Sequence, residues 1–332
     1  HQVIDIPGTD CVVISFMDGS TSSYPSLVAG TIDGENRTIS NFGTVVNVAS
    51  DECRYTAVTY NVAQSKLCFF YLDGDNDYIR AHHATVNTST NAISATSTYA
   101  SIFSATDSYD IRAIYDPDTT DTLLFFTIAN NKVYVKNITS TGTDYGAELT
   151  DDVKINNSIA VDYDTNLNKY LMAYIDDSGT NEKLVGCCVV DSGTAISFGT
   201  PADLSNTSYV VSGSQWLHFS VTFYPTDPDD TTINKFLITF HDNQNTYDVR
   251  TSVVTLSGTD NNLTVGSSVA QQVSGSPTSS SGGTTAAYDP LSKKIRSFHK
   301  VGGTSTDLYS FDAQIGTDNS VTISGARTDT AS

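Results

Sequence analysis

The segment RAIYDPDTTDTLLFFTIA, at residues 112–129, contains the pattern that decides the fold. A short apolar run ends in Tyr115, a turn of Asp, Pro and Thr follows, and an aromatic-rich run begins at Leu123. Asp, Pro and Thr favour turns, whereas β-branched and aromatic residues favour strands. The segment therefore predicts two antiparallel strands joined by a tight turn.

The same layout recurs along the chain. A tyrosine, here termed the marker residue, ends the first run in five segments, at Tyr60, Tyr115, Tyr163, Tyr224 and Tyr288, which are 55, 48, 61 and 64 residues apart. A degenerate sixth copy, VIDIPGTDCVVISFMD at 3–18, places Ile6 at the marker position. Each pair of runs is followed by a polar turn, a third alternating run and a weaker, Ser/Thr-rich fourth run. Each repeat therefore predicts four strands.

Six such repeats predict an all-β fold, a six-bladed β-propeller with four antiparallel strands per blade. We expect a single domain over 1–332, with units at approximately 1–50, 51–104, 105–153, 154–212, 213–274 and 275–332. The alternative is two or three β-sandwich domains. Sandwich repeats would recur at about twice the observed period, so the propeller is favoured.

The composition excludes several classes of protein. The 332 residues include 37 acidic and 17 basic side chains, a net charge of −20, and 85 are Ser or Thr. An acidic chain repels phosphate backbones, so nucleic acid is not an expected partner. No run approaches 18 apolar residues, so no membrane span is predicted. Most of the acids are Asp in turns, which indicates that the charge is largely a consequence of a turn-rich fold.

The repeats resemble the degenerate repeats of secreted, cell-surface and virion-appendage propeller proteins. They lack the Trp-Asp dipeptide, the Asp-box, the paired glycines of kelch repeats and the Tyr-Trp-Thr-Asp motif that mark better-defined propeller families. Trp216 is the single tryptophan. The resemblance implies an extracellular location or a place on a cell or virion surface, and it transfers no catalytic residue.

Six Asn-x-Ser/Thr sequons are candidate N-glycosylation sites: Asn36, Asn87, Asn137, Asn156, Asn206 and Asn262. Four of them, at 36, 87, 137 and 262, are predicted in the turn between the third and fourth strands of a blade. The other two are predicted between blades. The Ser/Thr/Gly/Pro segment at 274–285 is interpreted either as a flexible linker or as an O-glycosylated stretch. Covalent glycans are therefore predicted.

Asp73, Asp75 and Asp77 alternate in a turn and are a candidate calcium site, the one cofactor that the sequence suggests. Turn formation by Asp is the alternative explanation. The cysteines are Cys11, Cys53, Cys68, Cys187 and Cys188. They have no C-x-x-C spacing, so zinc is not expected. One or two disulfides are compatible with this count, and the pairing stays open.

These features favour a non-enzymatic extracellular structural glycoprotein, a propeller building block of a filament, appendage or surface coat. The expected partners are copies of the same chain. Residues 1–6 and 320–332 both read as strands, and one of them could be donated to a neighbouring subunit in a head-to-tail assembly.

Two other functions stay open. One is a carbohydrate-binding or receptor-binding propeller, lectin-like or viral, that uses loop aromatics such as Tyr145 and Trp216. The other is a glycoside hydrolase or lyase, which needs two acids near the central channel. The four glutamates fall in turns and connections, and Asp162 is the one acid predicted inside an inner strand.

Overall fold

The computed structural model describes the following residues: 2–34, 38–98, 101–104, 110–128, 131–139, 142–151, 159–176, 183–204, 219–225, 234–242, 248–267, 269–271, 284–300, 308–316 and 318–329. Within these ranges the chain forms 28 β-strands and one short 3-10 helix, Gly19–Thr21. All strand pairs are antiparallel and belong to six separate sheets, here called blades 1 to 6.

The first three blades contain fourteen strands. Blade 1 has β1 (Gln2–Asp5), β2 (Cys11–Asp18), β3 (Tyr24–Asp33), β4 (Thr38–Ser40) and β5 (Val46–Asn47). Blade 2 has β6 (Cys53–Asn61), β7 (Lys66–Asp73), β8 (Tyr78–Asn87), β9 (Ala92–Thr98) and β10 (Phe103–Ser104). Blade 3 has β11 (Ile111–Tyr115), β12 (Thr122–Ile128), β13 (Lys132–Thr139) and β14 (Gly142–Leu149).

The last three blades contain the other fourteen. Blade 4 has β15 (Ala160–Asp164), β16 (Lys169–Asp176), β17 (Lys183–Asp191), β18 (Ile196–Phe198) and β19 (Ala202–Asp203). Blade 5 has β20 (Phe219–Tyr224), β21 (Lys235–Asp242), β22 (Asp248–Leu256), β23 (Leu263–Val265) and β24 (Val269–Gln271). Blade 6 has β25 (Thr284–Asp289), β26 (Lys294–Lys300), β27 (Leu308–Ile315) and β28 (Val321–Asp329).

Consecutive strands pair in every blade, so each blade is a four-stranded meander. In blades 1, 2, 4 and 5 the fourth position is shared by two short strands that pair with the same third strand. The predicted weak outer strand is therefore broken in these four blades. The prediction of an all-β, six-bladed propeller is confirmed.

Backbone contacts divide the chain into two compact units of three blades each. Unit 1 consists of His1–Thr150 and Ser192–Ile196, and unit 2 of Asp151–Asp191 and Ser197–Ser332. In unit 1, one apolar cluster joins blades 1 and 2 and a second joins blades 2 and 3. In unit 2, one cluster joins blades 4 and 5 and another joins blades 5 and 6. Side chains alternate along each strand, so each blade contributes to clusters on both of its faces.

The residue after the marker forms the turn predicted at this point. In four blades its side-chain oxygen accepts a hydrogen bond from a backbone N–H two or three residues further on, and these residues are Asn61, Asp116, Asp164 and Asp289. Five residues after the marker the backbone is left-handed, at Ser65, Thr120, Asn168 and Lys293, with φ of 53° to 63°. The recurring Asp is therefore a turn residue, because its side chain substitutes for a backbone acceptor.

The structure corrects the fifth marker from Tyr224 to Phe223. Where the apolar clusters include a marker, its side chain points toward the preceding blade, as Tyr60 does when it packs on the cluster of blades 1 and 2. Ile6, in contrast, packs on the cluster that blade 1 shares with the following blade, so it does not occupy the marker position either. In blade 5 it is Phe223 that joins the cluster shared with blade 4, whereas Tyr224 joins the cluster shared with blade 6. A one-residue offset moves a strand side chain to the opposite face, so Tyr224 cannot occupy the marker position.

Neighbouring blades also contact through their outer turns. A Cβ added to Gly43 would lie 1.9 Å from the Asn91 carbonyl oxygen, and one added to Gly199 would lie 1.9 Å from that of Asn261. In each case a glycine in the outer edge of one blade meets a turn of the next blade. These glycines are required because the two backbones approach too closely for any side chain.

A buried lysine links blade 4 to blade 5, and a second buried lysine links blade 5 to blade 6. Lys169 donates to the carbonyl oxygens of Ser257 and Asp260, both at 2.8 Å. Lys235 donates to the carbonyl oxygen of Gly316 at 2.7 Å. The two lysines begin β16 and β21, so this is a second contact that recurs from blade to blade.

Candidate functional site

Comparison between blades separates architecture from candidate function, since a contact that recurs is explained by the fold. In blades 2 and 4 the side chain of the residue one before the marker accepts a hydrogen bond from the marker N–H of the next blade. Thr59 Oγ1 accepts from Tyr115 N at 3.2 Å, and Asp162 Oδ2 accepts from Phe223 N at 2.7 Å. We term this the bridging position, because it joins the inner strands of two consecutive blades.

Asp162 is the charged member at the bridging position. Burial raises the pKa of its carboxyl to about 6, although hydrogen bonds from Phe223 N and Tyr163 N act in the opposite direction. The residue nevertheless keeps part of its surface exposed. A carboxylate that is surrounded by protein and still reached by solvent is the setting in which acids and bases of active sites are found.

The bridging contact does not require a charge. Thr59 makes it with a neutral hydroxyl, whereas Asp162 makes it at the cost of burying a group that ionises near neutral pH. A carboxylate offers about four acceptor positions, and the N–H groups of Tyr163 and Phe223 take one on each oxygen. The remaining lone pairs allow Asp162 to accept a proton from a water molecule.

The other acids of the inner strands of unit 2 are explained by turns. Asp164 is fully buried and accepts from Asn166 N and Leu167 N. Asp289 is at the end of β25, and hydrogen bonds from Ser292 and Leu291 lower the pKa of its carboxyl. Both follow a marker, so they belong to the recurring turn. Asp162 is therefore the candidate catalytic group of these strands.

A buried cysteine and histidine form another close contact, within blade 2. Cys68 Sγ lies 3.4 Å from His83 Nε2, and both side chains are buried. Burial raises the pKa of the thiol to about 11 and lowers that of the imidazole to about 4. Both shifts favour the neutral pair, and a nucleophilic cysteine requires the thiolate. The pair is therefore structural.

Two tyrosine–aspartate pairs were not found by sequence reasoning. Tyr71 Oη donates to Asp51 at 3.2 Å, and Tyr174 Oη donates to Asp151. Each tyrosine lies eleven residues after its marker, and each aspartate lies in the segment that leads into the inner strand of the same blade. That shared spacing is the signal that could have revealed them. Since the contact recurs in blades 2 and 4, it is architectural.

Asp73, one of the three candidate calcium ligands, is engaged by other groups of the protein, and calcium binding stays a prediction. Asp73 is fully buried, and its carboxylate accepts from Arg80 at 2.9 Å and from Asn76 and the Asp75 N–H at 3.0 Å. Among the described residues there is no group of three or more His, Cys, Asp or Glu side chains that could hold a metal ion. The turn explanation for Asp73, Asp75 and Asp77 is the one that the geometry supports.

The five cysteines are free thiols and are all buried. Burial raises the pKa of Cys53 to about 12 and that of Cys188 to about 11. Thiols protected in this way are unreactive. No disulfide is formed among these five residues.

The sequons have different environments. Asn87 and Asn262 are at or beyond the end of a third strand, as predicted, and Asn87 is exposed. Asn137, in contrast, lies inside β13, is fully buried and donates to Tyr145 Oη at 3.1 Å, so it is not in an outer turn. Tyr145 is likewise part of β14 rather than a loop. Asn36, Asn156, Asn206, Trp216 and most of 274–285 lie outside the described residues, and glycosylation stays a prediction.

The terminal strands pair within their own blades. Strand β1 pairs with β2, and β28 pairs with β27. Neither is presented without a partner for donation to a second chain. In the described part of the chain, no helix has the length and apolar character needed to cross a membrane.

No protein-family model matches the chain. No curated protein matches it either. Solved structures do share its fold. A protein from Lactobacillus plantarum aligns with a TM-score of 0.62 at 12% identity, over 97% of this chain and 82% of that one. A candidate 6-phosphogluconolactonase from Bacteroides fragilis aligns at 0.61 and 10% identity, over 97% and 82%. A second one, from Bacteroides uniformis, aligns at 0.54 and 10% identity, over 96% and 82%.

At these identities the likeness establishes the propeller fold. Among these neighbours, two are named as candidate enzymes, which contradicts the prediction of a non-enzymatic filament, appendage or coat subunit. The terminal strands β1 and β28 pair within their own blades, and association with further copies of the chain stays a prediction.

Proposed function

We propose that the chain is a hydrolase of the propeller type, and that Asp162 is its general base. The observation behind the proposal is the partly exposed inner-strand carboxyl with a pKa of about 6. A base of this pKa is ionised at neutral pH and still takes up a proton readily, the combination that makes general-base catalysis efficient.

The number of acidic side chains available favours an ester, rather than a glycoside, as the substrate. Glycoside hydrolysis uses two carboxyl groups, one as acid and one as base or nucleophile. Ring opening of a lactone, a cyclic ester, needs one group that moves a proton. Among the described acids of the inner strands of unit 2, Asp162 is not a turn residue, whereas Asp164 and Asp289 are. Lactone hydrolysis is also the reaction implied by the names of two similar propellers.

The reaction then proceeds in two steps. The Asp162 carboxylate takes a proton from water as the water oxygen bonds to the lactone carbonyl carbon. The bond from that carbon to the ring oxygen then breaks, and the proton passes from Asp162 to the ring oxygen. The product is the open-chain hydroxy acid, and the carboxylate is regenerated.

The charge of the chain favours a neutral substrate. A net charge of −20 repels anions. A phosphorylated sugar lactone would approach against this potential, whereas an unphosphorylated one would not. The proposed substrate class is therefore the neutral lactones of sugar acids, not their phosphates.

The test compares hydrolysis of glucono-1,5-lactone with that of its 6-phosphate, above the spontaneous rates. The variant Asp162→Thr keeps the bridging contact that Thr59 makes in blade 2 and removes the base. We expect a wild-type preference for the neutral lactone and a rate about 10²–10⁴-fold lower in D162T, with a single cooperative melting transition in the variant as the control for folding. Equal rates in D162T and wild type would contradict the assignment, and no wild-type rate on either lactone would contradict the proposed reaction.

A further inference from the structure

Three hydroxyl side chains form a row across blade 5. Ser220 on β20 pairs directly with Thr239 on β21, which pairs directly with Thr251 on β22. Directly paired residues share a face of the sheet, and their Cβ atoms are about 4.5–5.5 Å apart. All three residues are at least nine-tenths buried. We term them the hydroxyl row.

The hydroxyl row faces blade 6. Leu237 and Val253 lie two positions from Thr239 and Thr251, hence on the same face. Both belong to the apolar cluster that contains Ile295 and other residues of blade 6. The row is therefore enclosed between the two blades.

Five hydroxyl groups of this interface lack protein partners. Among the described residues, five buried hydroxyls here make no hydrogen bond within the protein: those of Ser220, Thr222, Thr239, Thr251 and Ser297. Ser297 is on β26, two positions from Ile295, so it faces blade 5. A buried polar group without a partner costs about 1–3 kcal/mol. Five together in one interface require an explanation.

The equivalent rows of blades 2 and 4 are apolar. Each row begins at the residue three before the marker, which is Ser220 in blade 5. The equivalent rows are Ala57, Phe70 and Ala81 in blade 2 and Ala160, Ala173 and Gly186 in blade 4. Phe126 of blade 3 joins the cluster that contains the first row, and Phe240 of blade 5 joins the cluster that contains Ala160 and Ala173.

At the position of those phenylalanines blade 6 has His299, which is buried and stacks on Tyr309 with ring centroids 5.5 Å apart. Compared with blades 2 and 4 and the blades that follow them, the interface of blades 5 and 6 therefore has a polar row on one side and a polar ring on the other. The two substitutions occur together, which indicates a common polar ligand between the blades.

We infer that ordered water molecules bind between blades 5 and 6, held by the hydroxyl row, Thr222 and Ser297. Thr239, Thr251 and Ser297 have no exposed surface, so a larger solute has no access. Water can both donate to and accept from a hydroxyl, and buried water makes about three hydrogen bonds to groups that the protein leaves unpaired. The inference is independent of the proposed enzymatic function.

Isosteric substitution tests the inference through the sign of its effect. Thr239→Val and Thr251→Val retain the shape of the side chain and remove the hydroxyl. If water binds there, each variant loses hydrogen bonds, and we expect Tm to fall by about 1–3 °C. If the interface is dry, removal of an unpaired hydroxyl leaves Tm unchanged or raises it, and that result would overturn the inference. Thr59→Val, which loses a hydrogen bond to Tyr115 N, is the control that shows the size of a lost bond.

A second measurement does not depend on the stability of the variants. Oxygen-17 relaxation dispersion detects water molecules that stay in a protein long enough to rotate with it. The wild-type protein should show such a component, and T239V should show a smaller one. An equal component in the two proteins would exclude bound water at the hydroxyl row.

Discussion

At the scale of single residues, Asp162 illustrates how far sequence reasoning extends. The alternation of β15 identified it as an acid inside an inner strand. Its pKa could not be predicted, because it is set by burial, which raises it, against the N–H of Phe223 in the next blade, which lowers it. That contact depends on the register of β20, which was itself predicted one residue out of place. The burial of Asn137 could not be predicted either, because an Asn-x-Thr sequence is compatible with both a β-strand and a turn.

The raised pKa of Asp162 predicts a pH-dependent effect of its neutral analogue. A carboxyl whose folded pKa is about 6, against an ordinary value of 3.8, binds more protons in the folded than in the unfolded state between those pH values. The free energy of unfolding therefore falls as the pH rises from about 4 to 6, and the full cost of ionising the buried carboxyl is present above pH 6. In Asp162→Asn this cost is absent, so the free energy of unfolding of the variant, relative to wild type, should rise by up to about 3 kcal/mol between pH 4 and pH 8.

Urea denaturation at a series of pH values measures this difference. A constant offset between the two proteins would reflect the changed hydrogen bonds alone, so only the change with pH is diagnostic. A difference that stayed flat from pH 4 to pH 8 would mean that the carboxyl titrates normally in the folded protein.

At the scale of strands and turns, prediction succeeded where the signal is local. In blades 2, 3, 4 and 6 the Asp or Asn after the marker and the left-handed residue four positions later form one turn, which a few adjacent residues determine. Prediction failed in blade 5, where Phe223 and Tyr224 are both aromatic and both buried. Which of them faces blade 4 is decided by packing against a blade that is 60 residues distant in sequence.

The close contacts between outer turns predict that substitution of glycine by alanine destabilises the protein at Gly199 but not at Gly19. Gly199→Ala places a methyl group 1.9 Å from the Asn261 carbonyl oxygen. Backbone must move to relieve this overlap, and we expect a loss of about 1–3 kcal/mol of stability. Gly19→Ala is the matched control, because nothing lies within 4 Å of the added Cβ.

Thermal and urea unfolding of the two alanine variants and wild type provide the comparison. Gly19→Ala should unfold at the wild-type midpoint. If Gly199→Ala did so too, the close approach of the two turns would be excluded.

At the scale of the molecule, repetition made the fold predictable and concealed the function. Six copies of one sheet pattern specify a propeller, and each contact that recurs, such as the tyrosine pairs made by Asp51 and Asp151, has an architectural explanation. The function was predicted wrongly because composition and turns describe the scaffold. Asp162, the residue that suggests a function, departs from the residue types found at the same position in other blades. Such a departure is recognised only after the blades are superimposed.

The buried histidines predict the direction in which acid affects the whole protein. His82, His83 and His299 are buried, and burial lowers the pKa of each to about 4. The unfolded chain binds protons at these groups near pH 6.5, so the folded state loses stability as the pH falls from 6.5 toward 4. Asp162 acts in the opposite direction, but three histidines outweigh one carboxyl.

Unfolding midpoints in urea between pH 4.5 and pH 7.5 test this expectation. The midpoint should be nearly constant above pH 6.5 and fall steadily below it. A midpoint that did not change, or rose, toward pH 4.5 would show that the histidines are protonated in the folded state.

The most direct test of the assignment of Asp162 is the pH profile of kcat/KM for glucono-1,5-lactone, corrected for spontaneous hydrolysis. If Asp162 is the general base, kcat/KM rises with pH through an apparent pKa near 6, reaches a plateau, and loses this step in Asp162→Thr. A profile without a transition near pH 6, or the same transition in D162T, would contradict the account.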